Sequence, residues 1–225
     1  METEKKVTSH AIGTIFVKVR ADGEVEAAAM HYTKREKRTK QLRTTLRLPM
    51  GKGKKVERES LTETQVREAV QECAKIPADF DYEFEFRGLV YYAVVPDDDN
   101  GDSELHLKAF MVARLKKGEL RDYQANEQEY DPDTGKPIPD EVEILGPLKW
   151  YEIREVLNEM ARQGNGLYVH TTAVLATLVA LAGKYPKVEA RYGGIVNRPD
   201  VQQRVAISAN YRDEVKAYVG SLQAT

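Results

Sequence analysis

Two spacings of apolar residues run along the chain. Ile15, Val17 and Val19 alternate, Asp22-Gly23 follows, and a second apolar run extends from Val25 to Tyr32, which together predict a β-hairpin. "LRTTLRLP" predicts a short strand stopped by Pro49. Ser60 with Glu63 is a capping-box signal, and Val66, Ala69, Val70 and Cys73 follow at helical spacing. The pattern predicts a helix from Ser60 to Lys75 with that stripe inward, closed by Pro77.

Extended patterns return in "DYEFEFRGLVYYAVVP", one long strand or two, with Gly88 as a bulge. After the acidic turn "DDDNGDSE", "LHLKAFMVARLK" predicts a strand antiparallel to it. "DYQANEQEYDPDTGKPIPDE" reads as a long polar loop, and loops of that length tend to be functional. "VEILGPLKW" is extended again, and "YEIREVLNEMARQG" is an amphipathic helix ended by Gly164. Helical patterns then cover Leu167–Ala182 and, after a break at Gly193-Gly194, roughly Val201–Leu222. Strands, an internal helix, more strands and then helices predict an α/β (α+β) fold.

Composition narrows the classes. Of 225 residues, 41% are apolar, enough for a real core. A net charge of −2 gives no strong nucleic-acid signal. The single cysteine, Cys73, sits on the apolar helix stripe as a packing residue. It allows no intrachain disulfide and no Cys-rich metal site, which fits a reducing cytoplasm. The first residues lack the apolar stretch of a secretory signal. The greasiest segment, Leu167–Gly183, carries His170 and three threonines, so it reads as a buried helix rather than a membrane span. His170 is expected to be a core histidine, not a ligand. Basic residues crowd Lys34–Arg58 and acidic ones Glu119–Glu143. The pair would suit an anionic ligand plus a cation, or two solvated loops.

The acids of the internal helix carry the chemistry. Glu68, Gln71 and Glu72 stand at i, i+3 and i+4 and share a face, opposite the apolar stripe. Two carboxylates one turn apart repel unless a cation sits between them, and hard cations take oxygen ligands of this kind. Arg67 projects to another face, where it can orient Glu59 by a charge-assisted pair. Gly53 permits a tight loop before the helix. An ordinary solvated helix face has the same composition.

From Gly53 the chain reads Gly53-x5-Glu59-x7-Arg67-Glu68-Ala69-x-Gln71-Glu72-x-Ala74-Lys75. This resembles the Nudix box, G-x5-E-x7-R-E-U-x-E-E-x-G-U, with Gly53, Glu59, Arg67, Glu68 and Glu72 in register. "LRLP" before it and "GPLKWYEIREVLNEM" after it resemble the family's flanking segments. Gln71 replaces a glutamate, Ala74 a glycine and Lys75 an apolar residue, and "MGK" lengthens the lead-in.

The resemblance implies a Nudix-like α/β/α sandwich with a mixed β-sheet over residues 1–163. Additional C-terminal helices over residues 164–225 would pack on the same domain or mediate a homodimer. It implies hydrolysis of a pyrophosphate bond in a nucleoside diphosphate linked to a group X, with Mg²⁺ or Mn²⁺ as cofactor. Glu68 and Glu72 are the implied metal ligands, with Gln71 a weaker third and Lys52 offering its carbonyl. Glu59 and Arg67 would brace the loop and helix. A further carboxylate is implied from a later loop, with Glu127, Glu129, Glu141 and Glu143 as candidates. The alternative is a catalytically weakened nucleotide-binding or regulatory protein. Tyr91 and Tyr92 fall near a tyrosine of dinucleoside polyphosphate hydrolases, although tyrosine is also ordinary in a strand.

Overall fold

The computed structural model describes residues 6–35, 41–53, 59–96, 104–130, 137–164, 168–206 and 212–223. The predicted hairpin is present as β1 (Lys6–Val19) and β2 (Val25–Arg35). Next come β3 (Leu42–Arg47), β4 (Met50–Lys52) and helix α1 (Leu61–Cys73). β5 (Asp81–Phe84), β6 (Tyr91–Pro96), β7 (Glu104–Lys117), β8 (Ala125–Tyr130) and β9 (Pro137–Glu152) complete the strands. The remaining helices are α2 (Ile153–Arg162), α3 (Tyr168–Lys184), α4 (Pro186–Val196), α5 (Pro199–Ala206) and α6 (Arg212–Gln223).

The strands form one mixed sheet of order β5-β7-β1-β2-β9-β8. β7 runs parallel to β1, from Lys6↔Glu104 to Phe16↔Ala113, and the other pairings are antiparallel. β1 pairs with β2 only at residues 17–19, so it passes from one half of the sheet to the other at its end. Because successive strand residues face opposite sides, β1 feeds two layers. Ile15 and Val17 join a large apolar cluster with Val156, Val174, Leu178, Leu181, Val188 and Tyr192 of α2, α3 and α4. Phe16 faces Ala69 and Cys73 of α1, and Ile12 faces Val215 of α6. The fold is therefore α+β, with helices on both faces of a mixed sheet.

The stretch read as one long strand or two is two, β5 and β6, divided around Gly88 and both paired with β7. Three local expectations change. The "long polar loop" is, in its described parts, the β8–β9 hairpin. β8 is the outermost strand, so its ladder forms without an apolar alternation to announce it. Gly193 and Gly194 lie inside α4 rather than breaking the helical run, which instead divides into α5 and α6. In α1, Val66 is 46% exposed, while Thr64, Gln65, Ala69, Glu72 and Cys73 are buried. At about 100° per residue, a stripe through Gln65 and Ala69 turns Val66 outward. The acidic turn at 97–103 and the basic loop at 36–40 lie outside the described residues.

Candidate active site

Helix α1 begins with a complete capping box. Ser60 accepts the Glu63 backbone N–H, and the Glu63 side chain accepts the Ser60 N–H at 2.8 Å. That start fixes the phase of Arg67, on which the site converges. Its Nε and Nη2 grip both oxygens of Glu59 at 2.7 and 2.8 Å. Nη1 donates to Glu68 Oε1 and, at 3.1 Å, to Gln71 Oε1. Nη2 also donates to the Lys52 carbonyl at 2.9 Å. The Glu59 bonds hold the guanidinium well above its ordinary pKa, against the burial that opposes it. Arg67 therefore braces Glu59 and also gathers three of the oxygens read from the sequence as metal ligands.

The lead-in residues Met50, Gly51 and Lys52 form strand β4, paired with Gly13, Ile12 and Ala11 of β1. Two close approaches are made at glycines here. A Cβ on Gly51 would fall 1.7 Å from Glu68 Cδ, because the Glu68 carboxylate lies against the bare Cα. A Cβ on Gly53 would fall 2.2 Å from His10 Nε2.

Glu72 sits differently from its expected place. It is 4% exposed and lies on the inward side of α1 beside Ala69, not on the solvent face opposite the apolar stripe. Its Oε2 accepts the Met50 N–H at 2.8 Å, and that bond turns it under β4. Glu68 and Glu72 line one small cleft with Ile12, Thr14, Pro49 and Ala69.

Arg121 was not singled out by sequence reasoning. It is 1% exposed at the C-terminal end of α1, where its Nε donates to the Glu72 carbonyl at 3.0 Å and its backbone N–H to the Cys73 carbonyl at 2.7 Å. A cation there complements the helix dipole. Its Nη1 makes no hydrogen bond among the described residues. A lone arginine within an acidic segment carries no sequence signal of burial.

The donor set suits a hard divalent cation: two carboxylates, an amide oxygen and a backbone carbonyl. Three of those oxygens already converge on a positive group, Arg67. Among the described residues no group of three or more His, Cys, Asp and Glu side chains forms a metal cage, so the set depends on Gln71 and Lys52 as well. Of the later carboxylates, Glu143 pairs with Lys34 at 2.7 Å. Glu127 and Glu129 fall on β8 and Glu141 on β9, and their side chains lie outside the described residues. Tyr91 is buried on the face opposite α1, in the cluster with α3. Cys73 is fully buried, and burial pushes its thiol up, so it is inert packing. No helix among the described residues is long and apolar enough to cross a membrane.

No family model and no curated protein matches the chain. Among solved structures it is similar to a NUDIX hydrolase from Nitrosomonas europaea, at 14% identity and a TM-score of 0.44, over 77% of this chain and 88% of the other. It is similar to the NUDIX domain of Shewanella oneidensis NrtR complexed with ADP ribose, at 12% identity and a TM-score of 0.38, over 69% and 79%. It is also similar to a MutT/nudix family protein from Enterococcus faecalis, at 12% identity and a TM-score of 0.34, over 93% and 82%.

Proposed function

We propose that the chain hydrolyses a pyrophosphate bond in a nucleoside diphosphate linked to X. Glu68, Glu72, Gln71 and the Lys52 carbonyl would hold Mg²⁺ or Mn²⁺. The observation that carries the reading is the one small cleft that Glu68 and Glu72 share, with the Gln71 and Lys52 oxygens tied to Glu68 through Arg67. A divalent ion bound there would neutralise phosphate charge and lower the pKa of a water. The chain's own residues supply geometry. Met50 N–H orients the Glu72 carboxylate, and Gly51 leaves room for Glu68. Glu59, held by both arms of Arg67, fixes the loop end against the helix. Preorganised groups of this kind act without reorganising during reaction.

A second reading, a nucleotide-binding or regulatory protein of weakened activity, draws on one observation. Gln71 contributes no charge, and the Arg67 guanidinium already satisfies its oxygen and one of Glu68. A panel of nucleoside diphosphate-X compounds with Mg²⁺ or Mn²⁺ separates the two. Hydrolysis that disappears in Glu68→Gln and Glu72→Gln supports the enzyme. Saturable nucleotide binding without turnover supports the regulator, and neither outcome sinks both.

A further inference from the structure

The C-terminal helix reaches the candidate site through a continuous line of side-chain hydrogen bonds. Tyr218 of α6 places its hydroxyl 2.8 Å from His10 Nδ1. His10 Nε2 lies 2.8 Å from Thr64 Oγ1. Thr64 donates to Glu59 Oε2 at 3.0 Å, and Glu59 is the carboxylate that Arg67 grips. His10 and Thr64 are both buried. The ring of His10 also lies against Gly53, whose N–H donates to the His10 carbonyl at 2.9 Å. α6 is seated by Val215, Tyr218 and Val219, which pack with Ile12, Leu107 and Ala109 of β1 and β7.

Proton bookkeeping gives the line a direction. Thr64 has one hydroxyl proton, and it goes to Glu59. Thr64 must then accept from His10 Nε2–H, which makes the ring the Nε2–H tautomer. Nδ1 is left as an acceptor, so Tyr218 donates. Burial lowers the His10 pKa, opposed by Glu59 and reinforced by Arg67, so the ring is neutral. Burial pushes Tyr218 up to about 12, so it keeps its proton. Removing the Tyr218 hydroxyl frees the ring to adopt the other tautomer. Nε2 would then compete for the Thr64 proton, and Glu59 would lose a donor beside Arg67.

We infer that Tyr218 is a positioning residue, and that through His10 and Thr64 it makes helix α6 part of the support for the Arg67–Glu59 pair and the oxygens around it. The hydrogen-bonded line stands on geometry alone; only its metal readout rests on the function proposed above. Tyr218→Phe keeps the ring in its apolar seat and removes one hydroxyl.

The test is a cycle of Tyr218→Phe and Thr64→Val on the full chain, read by ¹⁵N NMR of His10, by exchange of the Arg67 Nε–H, and by Mn²⁺ titration. Tyr218→Phe is expected to move the His10 Nδ1 resonance, speed Arg67 Nε–H exchange and weaken Mn²⁺ binding about threefold. That is below the tenfold and larger losses typical of groups bonded directly to a ligand. In the Thr64→Val background the same substitution should do nothing further at Arg67, and Thr64→Ser should restore the response. Equal effects of Tyr218→Phe in both backgrounds, or a moved His10 resonance with unchanged Arg67 exchange, overturn the inference. If the wild-type chain takes up no Mn²⁺, the metal reading fails while Arg67 exchange still decides this one.

Discussion

The two faces of β1 differ in what their central side chains meet. On the face toward α3 and α4, Ile15 and Val17 meet an apolar cluster, and the hydroxyl of Thr177 bonds the Ala173 carbonyl of its own helix at 2.8 Å. On the face toward α1 and α6, each buried polar side chain of β1 reaches another element. Thr14 accepts from Gln65 at 2.8 Å, and His10 joins α1 to α6. An apolar contact tolerates small displacements, whereas a hydrogen bond depends on distance and angle. The first face is therefore mainly cohesive, although the Tyr192 hydroxyl crosses it to Glu152 and the Val25 N–H; the second is tied mainly by position, and the carboxylates stand on it.

The largest effect that tests this contrast is a cavity on the cohesive face. Leu178 is fully buried in α3. Leu178→Ala should cost about 3 kcal/mol of stability, the middle of the range for such truncations. Urea unfolding measures it. Mn²⁺ affinity of the folded protein should stay at the wild-type value. A parallel loss of metal affinity would mean that the two faces are not separable.

A pH effect of intermediate size also belongs to the cohesive face. Burial holds the His170 pKa at about 3, with Arg47 and Lys108 pushing the same way, against an ordinary 6.5. Its folded pKa is depressed, so the unfolded ring binds a proton that the folded one refuses. Stability is then unaffected by His170 above 6.5 and falls as pH drops from 6.5 toward 3. At 1.36 kcal/mol per unit, His170 alone should cost about 2 kcal/mol by about pH 5. His10, also depressed by burial, adds in the same direction. His170→Leu should remove the His170 share of the slope in urea midpoints between about pH 7 and about pH 5, leaving the His10 share. An unchanged slope would show that His170 is protonated in the folded state.

What could be read from the sequence follows the range of each interaction. The Asp22-Gly23 hairpin and the Ser60–Glu63 cap are short-range patterns, and both are present. Arg67, Glu68 and Gln71 meet because a helix brings i, i+1 and i+4 within reach of one long side chain. Glu72 shares that spacing but is turned inward by a β4 backbone amide, which no helical period encodes. Gly53 appeared as a loop glycine, and its close approach is to His10, far earlier in the chain. The tie from His10 to Tyr218 spans 208 positions, beyond any local pattern. Arg121 was illegible for the same reason. Its partners are the end of α1 and the carbonyl of Gly146 on β9.

The smallest change in stability should carry the sharpest information about the positional face. Gln71 is exposed and bonds Arg67 Nη1 at 3.1 Å. Gln71→Glu converts that contact to an ion pair one turn along the helix, worth about 0.3–0.5 kcal/mol. The new charge also sits in the last turn of α1, where the helix dipole opposes it by a similar amount. Stability should therefore hardly move. Cation affinity of an oxygen site rises with ligand charge, so Mn²⁺ should bind several-fold more tightly in a titration. Any hydrolysis in the substrate panel should rise with it. Unchanged affinity would remove Gln71 from the ligand set. Weaker affinity would mean that the added carboxylate holds Arg67 more firmly over the Glu68 and Lys52 oxygens, which would favour the regulatory reading.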